Sequence, residues 1–130
     1  MRQYVYISTA TDNLRNEDVS DILAAALRNN VGSGITGLLI FNGRNFLQLV
    51  EGEQEALTKL MEKLALDKRH NGIVRLVDIA IDKRDCAEWT MRQIRLSDSV
   101  NARREELDAV LPTSLQPHIR KTILNFASLN

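Results

Sequence analysis

Two polar side chains that could form a hydrogen bond stand inside otherwise apolar segments. Gln48 lies in the run NFLQLVE (45–51), where strand alternation predicts that it shares a face with Phe46 and Val50. A buried carboxamide carries donors and acceptors, and leaving them without partners costs about 1–3 kcal/mol. Tyr6, in the first β-rich run, has a hydroxyl that can donate or accept. A hydrogen-bonded Tyr6–Gln48 pair is one prediction, and a glutamine bonded only to backbone is the alternative that the residues leave open.

The other polar candidates lie at the ends of predicted elements. No phosphate-binding loop, metal-ligand spacing or nucleophile elbow occurs, so no metal site is predicted. A slot between the two helices, closed by Asn30 and by the Asp67–His70 cluster at the end of the second helix, would suit a flat apolar molecule with a polar rim, such as an aromatic cofactor. Each residue also has a plain structural explanation as a helix end, a solvated turn or part of the core. The candidates are Ser8, Asn30, Asp67, Arg69, His70, Trp89 and Met91.

Hydrophobic periodicity predicts the order β-α-β-β-α-β-β, followed by two helices. Strands are predicted at 3–8, 38–41, 45–51, 73–81 and 89–96. Helices are predicted from an N-cap at Asn16 to about residue 30, and at 54–68, 102–110 and 115–128. This order indicates an α+β, ferredoxin-like mixed sheet with two helices on one face, in which strands one and three are central neighbours. Gly72 is predicted to cap the second helix. The last two helices, a C-terminal helical pair, are expected to cover the other face of the sheet or to form a dimer contact.

Composition narrows the class of protein. The chain has 130 residues, with 17 basic and 17 acidic residues, so no net field favours nucleic acid or an anionic membrane. No apolar run approaches the ~18 residues of a membrane span, and the first residues lack the apolar core of a secretion signal. Cys86 is the single cysteine, which excludes an internal disulfide. We therefore expect a cytoplasmic protein that binds neither nucleic acid nor membrane.

The joint pattern of these residues resembles the BLUF domain family, blue-light sensors that use FAD. The resemblance runs from about residue 4 to residue 96, in the family's order and spacing. It implies a photosensor domain at 1–97 with a C-terminal helical extension at 98–130, and a protein that is not an enzyme. The flavin, FAD or alternatively FMN, would be held non-covalently between the two helices. The matching motifs are Tyr6-Ile-Ser8, Asn30, Ile35-Thr-Gly37, Phe46-Leu-Gln48-Leu-Val-Glu51-Gly52, Asp67-Lys-Arg69-His70 and Trp89-Thr-Met91.

The resemblance implies a cofactor-binding role for residues on or after both helices. Asn30 would bond the C4=O/N3 edge of the isoalloxazine ring, and Arg69 would reach its C2=O side. Asp67 and His70 would lie on the ribityl or C2 side. Ile22, on the first helix, would supply an apolar contact to the ring. Each of these roles is an expectation taken over from the family by position.

The resemblance also implies a photochemical switch and an output. Tyr6 would donate an electron and a proton to the light-excited flavin, and Gln48 would bridge Tyr6 and the flavin N5/C4=O. Rotation or tautomerisation of the Gln48 amide would then leave a small, reversible red shift. Ser8, Trp89 and Met91 would take part in signalling, with Trp89 and Met91 on one face of strand five near Gln48. The signal would pass through strand five to the C-terminal helices.

Two other functions remain open at this point. A small acylphosphatase-like hydrolase could use Arg69, Asn30 and His70, although the segment after strand one lacks the glycine of a phosphate-binding loop. A flavin-free interaction domain could keep the same fold. For a photosensor, the residues after Leu96 are too few for an enzyme domain, so we expect output through a downstream protein partner or a homo-oligomer.

Overall fold

The computed structural model describes residues 1–10, 16–30, 32–67, 70–89, 92–96 and 99–128. Within these ranges five strands form one mixed sheet and four helices pack around it, which confirms the predicted ferredoxin-like α+β class. None of the described helices is long and apolar enough to cross a lipid bilayer. The elements are β1 (Arg2–Ala10), α1 (Asn16–Asn30), β2 (Thr36–Phe41), β3 (Asn45–Gly52), α2 (Gln54–Leu66), β4 (His70–Ala80), β5 (Arg92–Arg95), α3 (Val100–Val110) and α4 (Pro117–Ala127).

The strand order places β1 and β3 side by side near the centre of the sheet. The order is β4-β1-β3-β2-β5, with β1 and β3 antiparallel and β5 parallel to β2. Each helical crossover passes over one strand, which brings β1 next to β3 as the element order predicts. In this register Tyr6 stands directly opposite Gln48.

Each face of the sheet carries its own apolar cluster, because successive strand residues point to opposite sides. The cluster beneath the first two helices, here called the α1–α2 cluster, contains Tyr4, Tyr6, Ile22, Ile35, Leu39, Phe46, Val50, Leu57 and Leu60. The cluster on the other face, here called the α3–α4 cluster, joins Val5, Leu38, Ile40, Leu47 and Leu49 to Leu107, Leu111, Leu115, Ile119, Ile123, Leu124, Phe126 and Ala127. The prediction that the tail helices cover the second face is therefore confirmed.

The end of α2 differs from the prediction. The helix ends at Leu66, with Asp67 as an extended C-cap residue whose N–H bonds the Leu64 carbonyl at 3.1 Å. His70 is the first residue of β4, so placing it at the end of the helix was wrong, and so was Gly72 as the helix cap. Gly72 (φ +61°) lies in β4 where its register against β1 shifts. A positive φ favours glycine at strand bulges as well as at helix caps, and local sequence does not separate the two.

The fifth strand is shorter than predicted, and Trp89 lies outside it. β5 covers only Arg92–Arg95, so the placement of Trp89 on this strand was wrong, while Met91 lies outside the described residues. The Trp89 carbonyl instead accepts a hydrogen bond from the Gly37 N–H at 2.9 Å. Its ring packs against the α3–α4 cluster, with the Arg92 guanidinium 5.1 Å from the ring centroid. Trp89 therefore lies on the face of the sheet opposite Gln48.

Candidate functional site

The site is centred on the side-chain pair formed by Tyr6 and Gln48. These side chains are 2% and 3% exposed, and the Tyr6 hydroxyl donates a hydrogen bond to Gln48 Oε1. The bond is local to the sheet, because the two residues are cross-strand neighbours on the same face. The polar partner that a buried Gln48 requires is thus a phenol.

Burial also sets the protonation state of this pair. It raises the pKa of Tyr6 well above the ordinary value of 10.0, because a buried phenolate would lose its hydration. At neutral pH Tyr6 is therefore a neutral donor whose proton is directed at a carboxamide oxygen. A phenol in this state can give up an electron readily only if its proton has a place to go.

Three further predicted residues are buried on the elements around the pair. Ser8 lies two residues beyond Tyr6 on β1, opposite Phe46. Ile22, on α1, belongs to the α1–α2 cluster together with Tyr6. Asn30 is the last residue of α1 and is buried, and its backbone carbonyl accepts from the Ser33 N–H at 3.1 Å.

The remaining predicted residues are described only in part. Asp67 is half-buried at the C-cap of α2. Arg69 and Met91 lie outside the described residues, as does the side chain of His70, whose backbone pairs with Ala10. Trp89 is separated from Gln48 by the sheet itself. The structure thus gathers Tyr6, Gln48 and Ile22 around one cluster and places Trp89 elsewhere.

A cleft of about 370 Å³ opens beside the α1–α2 cluster, between α2 and the segment that precedes β2. Ile35 and Leu60 belong both to its wall and to the cluster, while Lys59 and Lys63 stand along its rim. Binding sites for aromatic cofactors combine apolar walls with a few placed polar groups. The cleft also carries Glu53 and Glu55 and does not include Tyr6 or Gln48, so its lining does not identify a ligand. The features that fit a planar ring with a polar rim, as in a flavin, are the apolar cluster and the buried Tyr6–Gln48 pair beneath the two helices.

A second buried polar group, Glu51, was matched from the sequence only as part of the family motif and was given no role. Its side chain is 0% exposed, and within the described residues both carboxylate oxygens accept hydrogen bonds from three different segments. The available signal was the one used for Gln48, a polar residue inside an apolar strand. Its partners could not be read from the sequence because they are brought together only by the fold.

Comparisons with known proteins agree with the geometry. The family model for sensors of blue light using FAD (BLUF) matches residues 1–92. Photoactivated adenylate cyclase subunit beta of Euglena longa is 31% identical over 128 residues, covering 93% of this chain and 15% of that protein. The blue light- and temperature-regulated antirepressor BluF of Escherichia coli is 34% identical over 73 residues, covering 56% of this chain and 18% of that protein. The dark-state structure of BlrB, a BLUF protein, superposes with a TM-score of 0.76 at 26% identity, over 98% of this chain and 96% of that one.

These comparisons separate the functions left open by the sequence. They lend no support to an acylphosphatase-like hydrolase or to a flavin-free interaction domain. The matched region is a sensor module rather than an enzyme, and the chain spans less than a fifth of either curated relative. With a family match over most of its length and a buried Tyr6–Gln48 pair in its sheet, the chain belongs to the BLUF family of flavin-binding blue-light sensors.

Proposed function

We propose that this chain senses blue light through a switch formed by Tyr6 and Gln48. The observation that carries the proposal is the hydrogen bond from the Tyr6 hydroxyl to Gln48 Oε1, buried beside the α1–α2 cluster. Bound flavin supplies the absorption of blue light and, once excited, the oxidising power. Everything else in the switch is done by side chains of the protein.

Tyr6 acts as the donor of an electron and a proton. Because burial raises its pKa, the phenol keeps its proton until an electron leaves, and the proton then moves along the bond to Gln48. A carboxamide has a donor end and an acceptor end, so rotation or tautomerisation of Gln48 changes the bonds that it offers to the ring. Return of the electron and proton to Tyr6 leaves no net chemistry. The changed Gln48 amide remains and produces a small red shift.

Other residues hold the cofactor. Asn30 would bind the C4=O/N3 edge of the ring and Ile22 would pack against it, and the burial of both residues supports these roles. Asp67, Arg69 and His70 bind the C2=O and ribityl side, as the family resemblance implies. We propose FAD as the cofactor, with FMN as the alternative. Chromatography of flavin released from the purified protein distinguishes the two.

Output runs from the sensor unit at 1–97 to the helical extension at 98–130. Ser8, Trp89 and Met91 are proposed as signalling residues, and packing of Trp89 against the α3–α4 cluster supports this role. One relative is named an antirepressor and another a cyclase subunit, so signalling to a further protein or domain recurs among relatives. For this chain we propose a downstream protein partner or a light-dependent homo-oligomer in the cytoplasm.

The test is an absorption spectrum of the purified protein in darkness and under blue light. The wild type should show a flavin spectrum that shifts slightly to the red and recovers in darkness. Gln48→Leu should bind flavin without the shift, and Tyr6→Phe should lose the photocycle. Tyr4→Phe is the matched control, since it removes the same atom from a buried tyrosine two residues away on the same face. It should retain the shift.

Three results would contradict the proposal. A wild-type amplitude in Tyr6→Phe would remove Tyr6 as the donor. A normal shift in Gln48→Leu would remove the amide switch. If wild-type protein binds no flavin even after reconstitution, the alternative of a flavin-free interaction domain would be favoured.

A further inference from the structure

The buried carboxylate of Glu51, at the end of β3, accepts hydrogen bonds on both oxygens. Oε1 accepts from the Thr36 hydroxyl at 2.9 Å and from the Cys86 N–H at 2.6 Å. Oε2 accepts from Gln3 Nε2 at 3.1 Å and from the Asp85 N–H at 3.0 Å. With each oxygen bonded twice, the usual acceptor capacity of the carboxylate is filled from β1, β2 and the segment between β4 and β5.

Arg84 ties the same segment to the hairpin a second time. Its Nη1 donates to the Thr36 hydroxyl at 2.8 Å and to the Glu51 backbone carbonyl at 3.0 Å, and its Nη2 donates to the Gly34 carbonyl at 2.6 Å. A guanidinium has its N–H donors in a rigid planar arrangement, so these bonds fix the orientation of the Arg84 side chain as well as its distance from the hairpin. The segment 81–89, here called the β4–β5 loop, is thereby anchored at residues 84–86.

We propose that Glu51 is a positioning residue that transmits the change at Gln48 to the β4–β5 loop and thus to β5 and the C-terminal helices. The light-dependent half of this proposal rests on the proposed function. Glu51 lies three residues after Gln48 on the same strand, with its side chain on the opposite face of the sheet. A movement of β3 caused at Gln48 therefore reaches the Glu51 carboxylate without an intervening element.

From Glu51 the contacts continue to Trp89. The Cys86 N–H donates to Glu51, and the Cys86 carbonyl accepts from the Trp89 N–H at 2.9 Å. The Trp89 carbonyl in turn accepts from the Gly37 N–H at the start of β2, beside β5. The loop is thus held at both ends, by Glu51 at residues 85 and 86 and by Gly37 at residue 89.

The chemistry of this link favours two discrete arrangements over gradual deformation. A buried charge without partners is strongly disfavoured, so the four bonds to Glu51 keep or change their partners together. An apolar residue at this position would fill the space without fixing the orientation of the loop. A two-state element that both Gln48 and the C-terminal helices can bias is what energetic coupling between distant sites requires.

The test compares hydrogen exchange of Glu51→Gln and wild type, as full-length flavin-loaded proteins, in darkness and under blue light. The glutamine keeps the shape but replaces one oxygen with an NH₂ group, which cannot accept the two bonds made there. We expect exchange in peptides covering 82–89 to be at least tenfold faster in darkness. The red shift should persist, while the light-minus-dark difference over β5 and α3–α4 falls by at least half. Glu88→Gln, at an exposed position of the same loop, should behave as wild type.

A second variant keeps the proposal falsifiable if Glu51→Gln does not fold. Arg84→Met removes the three bonds made by the guanidinium and leaves the four bonds to the Glu51 carboxylate. This variant should also show faster exchange over 82–89 and a smaller light-minus-dark difference, but both effects should be weaker than in Glu51→Gln. Wild-type protection of 82–89 in the folded variants, or an undiminished light-minus-dark difference over α3–α4, would overturn the proposal. A wild type without a red shift would contradict the proposed function instead, and exchange in darkness would still decide whether Glu51 holds the loop.

Discussion

Replacing Gly37 with alanine should strongly destabilise the fold, because the new methyl group has no room. A Cβ at this position would lie 1.9 Å from the Leu49 carbonyl oxygen, 2.9 Å from the Leu49 carbonyl carbon and 3.1 Å from Val50 Cα. Ordinary contacts of a Cβ begin near 3.4 Å. All three atoms belong to the backbone of β3, so no side-chain rotation relieves the overlap.

The size of the destabilisation by Gly37→Ala follows from the need to move β2 away from β3. Overpacking that side chains can absorb costs about 1–3 kcal/mol, and a rigid backbone neighbour puts Gly37→Ala at the upper end. Moving β2 away from β3 also weakens the Gly37 N–H bond to the Trp89 carbonyl and one adjacent ladder bond, at about 1 kcal/mol each. The sum is about 5 kcal/mol, a large part of the roughly 5–15 kcal/mol that stabilises a domain. For a chain of this size it corresponds to a melting temperature lower by about 15–20 °C.

Urea unfolding followed by far-ultraviolet circular dichroism measures this cost, with flavin occupancy held equal because a bound ligand adds its own stability. Gly52→Ala is the matched control. Its Cβ would meet the Gly34 carbonyl oxygen at 3.0 Å and Ile35 Cα at 3.6 Å, so it should cost about 1 kcal/mol. A free energy of unfolding for Gly37→Ala within 1 kcal/mol of wild type, or no lower than that of Gly52→Ala, would refute the argument.

Two further predictions concern the buried phenol and the C-terminal helices. Because burial raises the pKa of Tyr6, its contribution to stability is complete below pH 10 and falls above it, where the unfolded chain loses this proton first. Above pH 10 the free energy of unfolding of wild type should therefore fall more steeply than that of Tyr6→Phe, by up to about 1.4 kcal/mol per pH unit, and parallel curves would contradict this. Ile123→Ala, at a fully buried position of α4, should cost about 2–5 kcal/mol, against at most about 0.5 kcal/mol for the exposed Lys121→Ala. A cost below about 1 kcal/mol for Ile123→Ala would show that α4 adds little to the core.

Much of the fold follows from local patterns in the sequence. The extent of α1, Asn16–Asn30, was predicted to within one residue from an apolar stripe, although Asn16, expected as the N-cap, is the first residue of the helix. The central pairing of β1 with β3 followed from the order of the elements, and this pairing sets Tyr6 against Gln48. Predicting a cross-strand contact of this kind requires only the order of the strands and their register.

What was predicted wrongly depends on contacts distant in sequence. Trp89 is a residue type that favours strands, but the segment before it is held by Glu51 and Arg84, and Trp89 itself is not part of β5. Gly72 carries the signal of a helix cap, but pairing of β4 with β1 extends back to His70 and uses the glycine within the strand. In both cases tertiary hydrogen bonds override a correct reading of local preference.

The strand β3 separates the α1–α2 cluster on one face of the sheet from the α3–α4 cluster on the other. Alternate residues face the site and the C-terminal helices, as the two clusters show. On the proposed function, substitutions on the site-facing side would change colour and photochemistry, and those on the other side would change stability and output, although the two sets are neighbours in the gene. Under the same proposal, a change of downstream partner would not require a change in the light that is detected. The site-facing residues are Phe46, Gln48 and Val50, and those on the other side are Leu47, Leu49 and Glu51.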